Sequence, residues 1–186
     1  MQKFLFIILV IIFYVFDEQK MKTEMPQAVN NFNKDNVISN DITKENNQNE
    51  TGNNWIYTKS FNKGTSKSYV FASTRAKKLL HFMYPYSGGS VATFTVRKTN
   101  KKVDVFLSIS KGQITSKTVK IKFDQNQPKQ YSISFATEAS SNIIFLHSEA
   151  DIINKLKSSK IMMIELEFIN KDIRQINFDV EGFKWN

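Results

Sequence analysis

A two-residue alternation of apolar and polar side chains runs through residues 82–110, and it restricts the possible folds more than any other feature of the chain. Two runs, 90–97 and 103–110, carry the alternation, and the polar, Asn-containing connection 98–102 joins them. β-Branched and aromatic residues at this period are typical of half-buried strands, and a short polar connection is typical of a hairpin. The sequence therefore predicts an antiparallel pair of strands around which the rest of the domain is built.

The alternation also assigns each side chain of the pair to a face. The residues that share the predicted inner face are Ala92, Phe94, Val96, Val103, Val105, Leu107 and Ile109. We therefore expect Phe94 and Leu107 to lie in the core, and Thr95 and Ser108 to face solvent. A one-residue shift in register would exchange the two faces.

The same period recurs through residues 55–186. Further candidate strands are 55–61, 69–73, 78–84, 118–123, 131–135, 142–147, 161–169 and 175–181. Many short strands separated by turn residues are typical of a sandwich of two packed sheets. The sequence therefore predicts an all-β fold, mainly an antiparallel β-sandwich.

One segment, near 149–158, has a helical pattern instead. Ser148 and Asp151 have the spacing of a capping box at a helix start. The apolar stripe of the helix consists of Ile152, Ile153 and Leu156. The sequence therefore predicts one short helix in the β-rich domain.

The N-terminal residues 1–16 are strongly apolar. Phe4 begins a run of 13 apolar residues that ends at Phe16. A bilayer span needs about 20 residues, so this length fits the core of a signal peptide. Small residues suited to cleavage are missing just downstream. We expect residues 1–16 to be a signal peptide or a short membrane anchor, which predicts an exported, periplasmic protein that is cleaved or tethered to the inner membrane.

Residues 17–54 are dominated by Asn, Lys, Glu, Asp and Thr. Such a segment has too little apolar surface to offset the entropy of an ordered chain, so we expect a disordered polar linker. As a flexible tether it would reach roughly 35 Å. The predicted β-sandwich domain then occupies 55–186.

The residue inventory argues against common catalytic and metal sites. The chain has no cysteine and only two histidines, His81 and His147. The Gly88–Gly89 pair lacks the following helix and the Lys-Ser/Thr pair of a phosphate loop, so a turn is the simpler interpretation. We expect no metal ion, no cofactor, no small-molecule substrate and no enzymatic activity. The alternative is a hydrolase that uses the carboxylates of Glu165, Glu167, Asp179 or Glu181.

The predicted domain is strongly basic. Residues 55–186 hold 21 basic and ten acidic residues, a net charge of +11, whereas residues 17–54 have a net charge of −3. A domain of that charge attracts polyanions such as anionic lipid, lipopolysaccharide or nucleic acid. The candidate binding residues are Arg97, Lys98, Lys101, Lys102, Lys111, Lys117 and Lys120. The aromatics Tyr57 and Phe106 are candidates for a stacking platform.

Several short patterns in residues 55–186 resemble a group of uncharacterised bacterial envelope proteins, which is similar to the periplasmic accessory proteins of type VI secretion called TagO or VasI. They are a hydrophobic-Arg strand, a strand of the form V-hydrophobic-L, a basic-Phe-Asp strand, a helix with Leu, and a closing F-x-hydrophobic-x-G. The positions that carry them are Val96 with Arg97, Val105 with Leu107, Lys122 to Asp124, Leu156, and Phe178 to Gly182. The resemblance implies an envelope β-sandwich protein, and it brings no catalytic residue with it.

These observations predict a non-catalytic, exported interaction module of the cell envelope that has a protein partner there and acts as a secretion-system accessory. The alternative is a polyanion-binding domain that uses its basic surface.

Overall fold

The structure is a computed structural model that describes residues 54–64, 66–100, 102–137 and 140–185. The predicted signal peptide or anchor at 1–16, all of the predicted linker except Asn54, and Lys101 lie outside the described residues. Residues Gln48–Asn186 form a compact unit. That unit contains all the strand pairings and the whole core reported below, which is what a domain needs to fold on its own.

Among the described residues there are eleven strands, one α-helix and one 3-10 turn. In chain order they are β1 Ile56–Asn62, β2 Lys67–Arg75, β3 Leu80–His81, β4 Gly89–Ser90, β5 Ala92–Thr99, β6 Val103–Ile109, β7 Thr118–Phe123, β8 Lys129–Thr137, β9 Ser140–Leu146, α1 Glu149–Leu156, β10 Ile161–Phe168, the 3-10 turn Ile169–Lys171, and β11 Asp172–Asp179. The all-β prediction with a single short helix is confirmed. No helix in the described ranges is long and apolar enough to cross a membrane.

Nine of these strands form one antiparallel sheet in the order β1-β2-β5-β6-β9-β8-β7-β10-β11, and β3 and β4 form a separate pair. The sheet folds back on itself, so that its first and last strands approach each other. Ala76, just after β2, pairs with Phe178 of β11, and the Lys77 N–H donates to the Asn177 carbonyl at 2.8 Å. The Trp55 indole donates to the Val180 carbonyl at 3.0 Å. Two facing layers result, the sandwich that the alternation predicts.

The predicted register of the central pair is confirmed. Phe94 pairs with Leu107 across β5 and β6, and both side chains are completely buried. Phe94 reaches across the sandwich to Phe178, with ring centroids 6.0 Å apart. The inner faces of both layers and the helix meet in one continuous core.

The expectation that Thr95 is exposed to solvent is wrong. Thr95 points to the outer face, yet it is only 4% exposed. It lies opposite Phe106, and its hydroxyl shares a 3.0 Å hydrogen bond with Ser73. Neighbouring side chains on the outer face of β5 and β6 therefore cover Thr95. Ser108, also on the outer face, is only half-buried.

Helix α1 packs as predicted but begins differently. Its apolar stripe of Ile152, Ile153 and Leu156 is buried. Ser148 has a left-handed backbone, with φ 68°, and its side chain makes no capping bond, so the predicted capping box is wrong. Asp151 instead accepts a 2.6 Å hydrogen bond from the Tyr131 hydroxyl and a 3.0 Å bond from Lys129 Nζ. A contact to the sheet has replaced the local cap.

Candidate functional site

The predicted cations that the structure describes fall into three groups. Arg97, Lys98 and Lys102 lie at the β5–β6 hairpin. Lys111 and Lys117 lie in the loop that follows β6, and Lys111 is seven residues from Asp104, roughly 20 Å along an extended strand. Lys120 lies on the outer face of β7, in the other layer. No single face therefore holds the whole predicted set.

In the first group, two of the cations form ion pairs within the domain. Arg97 Nη2 lies 2.7 Å from Asp104 Oδ2, and Lys102 Nζ lies 2.8 Å from Asp104 Oδ1. Burial by itself would raise the pKa of the Asp104 carboxyl, but hydrogen bonds from Lys102 and Arg97 outweigh that effect and hold the pKa below its ordinary value. Residues 97–106 are called the hairpin region below.

The hairpin region also buries the aromatic side chain that was a candidate for base stacking. The Arg97 guanidinium lies over the rings of Phe106 and Phe145, at 5.7 and 5.8 Å from their centroids, and Phe106 is only 5% exposed. Tyr57 belongs to the opposite face, because its strand position pairs with Ala72 on the inner side. Its hydroxyl accepts a hydrogen bond from the Lys184 N–H. Tyr57 and Phe106 do not form one platform.

Three segments meet around Phe82 and form what we call the loop end, residues 82–88, 110–117 and 169–174. The Phe82 ring packs on Phe168, with centroids 4.8 Å apart, and the Arg174 guanidinium lies 5.9 Å from the same ring. A Cβ on Gly112 would come within 2.9 Å of the Phe82 ring, so only glycine permits this close approach. Phe82 therefore fixes the three segments to one another.

The first loop-end segment was predicted as the end of a strand 78–84, and this prediction is wrong. Only Leu80 and His81 pair as a strand, and the chain then turns, with the Tyr86 N–H donating to the Met83 carbonyl at 3.0 Å. Pro85 within that turn cannot donate to a strand ladder, and this is the signal in the sequence that favours a turn.

The turn leaves two large side chains in solvent. Met83 is 88% exposed and Tyr84 is 92% exposed, more than any other large apolar residue that the structure describes. Ile173, at the start of β11, is 62% exposed and belongs to the same loop end. The loop end therefore holds the three most exposed large apolar side chains among the described residues.

The segments that carry this apolar surface are also basic. Within its three segments the loop end holds four basic residues and one acidic residue, a net charge of +3. The acidic residue, Asp172, is paired with Arg174 at 2.8 Å. Lys111, Lys117 and Lys171 have no ion pair with any described residue. Their charge is free to act on an external partner.

An open groove of about 440 Å³ continues from the loop end along β11. It lies between β11 and the segment that follows β2. One end is marked by the backbone hydrogen bond from Lys77 to Asn177, and the other by the 3.4 Å hydrogen bond from Arg174 Nη2 to the His81 carbonyl. The residues that line it are Lys77, Lys78, Leu79, Leu80, His81, Ile161, Arg174, Gln175, Ile176 and Asn177. The groove adds further basic and apolar surface beside the loop end.

The carboxylates considered for hydrolysis are each held by their own partners. Glu165 accepts from Gln175 at 2.9 Å and from Lys120 at 3.1 Å, and these two bonds lower the pKa of its carboxyl. The other partners are Thr115 for Glu167, Lys77 for Asp179 and Lys160 for Glu181. Within the described residues, no group of three or more His, Asp or Glu side chains is placed to hold a metal ion.

Comparison with protein-family descriptions and with curated proteins finds no match. Among solved structures, the chain is similar to invasion associated protein B from Bartonella henselae, known from a crystal structure. The two are 16% identical, the match covers 72% of this chain and 89% of that one, and the TM-score is 0.45.

Proposed function

We propose that the chain is a non-catalytic interaction module of the bacterial cell envelope, and that it binds an anionic partner through the loop end. The observation that carries this proposal is the coincidence, on one surface, of unpaired lysines with the most exposed apolar side chains of the described domain. A binding surface combines charge for attraction with apolar area for affinity. Each of the four carboxylates considered above is held by partners of its own in ion pairs or hydrogen bonds.

The alternative function, polyanion binding, can be assigned to particular lysines of the loop end. Of the predicted cations, Lys111 and Lys117 belong to the loop end and have no carboxylate partner among the described residues, whereas Arg97 and Lys102 share Asp104. Attraction between surface lysines and an anionic partner is screened over a Debye length of about 8 Å at physiological salt. Binding through the loop end is therefore expected to weaken steeply as salt rises.

A heparin-affinity experiment on Gln48–Asn186 tests the proposal. The variant K111Q/K117Q removes two loop-end charges. The matched control, K59Q/K63Q, removes two exposed lysines of β1 and the turn after it, which also have no ion pair with a described residue. We expect the loop-end variant to elute at clearly lower salt than the wild type and the control to elute near the wild type. Failure of the wild-type domain to bind at low salt would refute anion binding.

The role of the chain as a type VI secretion accessory is a further proposal, and it rests on the resemblance alone. Most residues that carry the resemblance are buried, among them Val96, Leu107, Phe123, Leu156 and Phe178. They bear on folding rather than on the choice of a partner. If the role is correct, deletion of the gene abolishes secretion through that system, and unchanged secretion contradicts it.

Export is proposed from the apolar run that begins at Phe4 and ends at Phe16. A periplasm-dependent reporter fused after residue 54 should be active, and removal of residues 1–16 should silence it. Activity confined to the cytosol would contradict both the export and the envelope role.

A further inference from the structure

We propose that the partner of the loop end is an anionic lipid bilayer, with Met83 and Tyr84 inserted among the headgroups and Lys111, Lys117 and Lys171 placed against lipid phosphates. This inference rests on the proposed function, because it names the anionic partner of the same surface.

The apolar part of the surface has the form that insertion requires. Met83 and Tyr84 are adjacent, almost fully exposed, and follow Phe82, which is fixed in the domain by its contacts with Phe168 and Gly112. The turn therefore projects two large side chains into solvent from a backbone that Phe82 holds in place. Tyrosine combines an apolar ring with a hydroxyl that stays hydrated, and this combination suits the membrane–water interface.

Charged groups lie on the same three segments as the inserted part, and Lys111 lies beside the loop itself. A Cβ placed on Gly88 would lie 3.6 Å from Lys111 Nζ, so the Lys111 ammonium lies beside the loop that carries Met83 and Tyr84. Lys117 comes directly after Thr115 and Ser116. The N–H groups of these two residues donate to the Glu167 carbonyl and so hold the second segment in place. Ammonium groups act as point charges, and each one near an anionic leaflet adds attraction that decays within a Debye length.

Two observations favour a bilayer over nucleic acid. The outer-face aromatic Phe106, which could have stacked on bases, lies under Arg97 in the hairpin region, away from the unpaired lysines. The described arginine of the loop end, Arg174, already holds Asp172. Single-stranded nucleic acids bind aromatic platforms and arginine planes, whereas protruding apolar tips with lysines around them suit a lipid surface.

The predicted anchor adds a second reason for this partner. If the run that begins at Phe4 and ends at Phe16 holds the chain at the inner membrane, the bilayer is itself an anionic surface available to the domain. A weak interfacial contact is then sufficient, because attachment to the membrane raises the local concentration of the domain.

Vesicle cosedimentation of Gln48–Asn186 tests the inference without any contribution from the apolar run at 4–16. The probes are phosphatidylcholine vesicles with and without phosphatidylglycerol, together with heparin and a single-stranded oligonucleotide. We expect binding only to the anionic vesicles, at least about tenfold weaker for M83S/Y84S and about 25-fold weaker for K111Q/K117Q. The controls F61S, at another exposed aromatic on edge strand β1, and K59Q/K63Q should remain within about twofold of the wild type.

The apolar variant M83S/Y84S also separates this inference from the proposed function. M83S/Y84S should keep heparin binding while it loses vesicle binding, because heparin has no apolar interior. Unchanged vesicle affinity in M83S/Y84S would overturn insertion and leave anion binding standing. Loss of all binding to heparin and vesicles by the wild type would refute both. Stronger binding of a single-stranded oligonucleotide than of vesicles, through the same lysines, would overturn the bilayer as partner.

A fluorescence measurement gives a second readout that does not depend on affinity. Y84W should show a blue-shifted emission with anionic vesicles and quenching by brominated acyl chains. F61W, on β1, should show neither. Quenching of F61W but not of Y84W would place a different surface against the bilayer and overturn the inference.

Discussion

In the hairpin region, Arg97 and Lys102 converge on the buried carboxylate of Asp104, whereas in the loop end Lys111 and Lys117 meet no carboxylate among the described residues. The apolar side chains follow the same division. Phe106 is covered by Arg97, but Met83 and Tyr84 project into solvent. The two regions are rich in the same residue types, so composition alone does not distinguish them. We propose the loop end rather than the hairpin region as the binding surface, because Lys111, Met83 and Tyr84 have no such partners among the described residues.

The largest effect should come from the core that both regions share. Phe94→Ala removes a completely buried ring, and it should lower the free energy of unfolding by about 3–5 kcal/mol through lost burial and a residual cavity. Met83→Ala, at the exposed loop end, should change it by no more than about 0.5 kcal/mol. Urea unfolding of both variants of Gln48–Asn186 measures the difference. A large loss for Met83→Ala would mean that the loop end is structural.

The second effect concerns the charges. Asp104→Asn removes the carboxylate that holds Arg97 and Lys102, and it should cost about 2–4 kcal/mol, because the largely buried Arg97 guanidinium loses its partner. Lys111→Gln should cost less than about 0.5 kcal/mol, because no ion pair is lost. Equal costs for the two substitutions, in urea unfolding, would contradict the division between the two regions.

The same carboxylate should make the hairpin region sensitive to pH. The pKa of Asp104 is lower in the folded state than its ordinary value of 3.8, so its contribution to stability is present above that value and is lost as pH falls through the lower folded pKa. The stability difference between wild type and Asp104→Asn should be constant from about pH 5 to 7 and should shrink below about pH 4. A difference that grows on acidification would show that the pKa is raised instead.

A smaller effect separates the two outward residues of the central pair. Thr95→Ala should cost about 1–2 kcal/mol, since Thr95 is buried and hydrogen-bonded to Ser73. Ser108→Ala should cost about 0.5 kcal/mol or less, since Ser108 is only half-buried. Equal and negligible costs, measured by urea unfolding, would mean that the outer face of the β5–β6 pair is not a packed layer.

The sequence predicts the register well because the two-residue period is a local property of a strand. Phe94 and Leu107 are core residues for that reason. The period cannot show whether an outward residue such as Thr95 is covered, because the cover comes from cross-strand neighbours. Ion pairs such as Arg97 with Asp104 depend on that same pairing.

The turn at Met83 was missed for a different reason. Residues 78–84 have the composition of a strand, and only the position of Pro85 indicates that the chain leaves the sheet. The loop end itself joins segments that are far apart along the chain. No window of sequence contains Phe82, Gly112 and Phe168 together, so their contact follows only from the fold.

The most direct test compares two double variants that lose the same net charge at different places. K111Q/K117Q and K98Q/K102Q each remove two positive charges from Gln48–Asn186, one pair from the loop end and one from the hairpin region. Affinity for phosphatidylglycerol-containing vesicles should fall about 25-fold in the first variant and less than about twofold in the second. Equal losses in both variants would show that binding follows total charge, and would contradict the claim that the loop end is the binding surface.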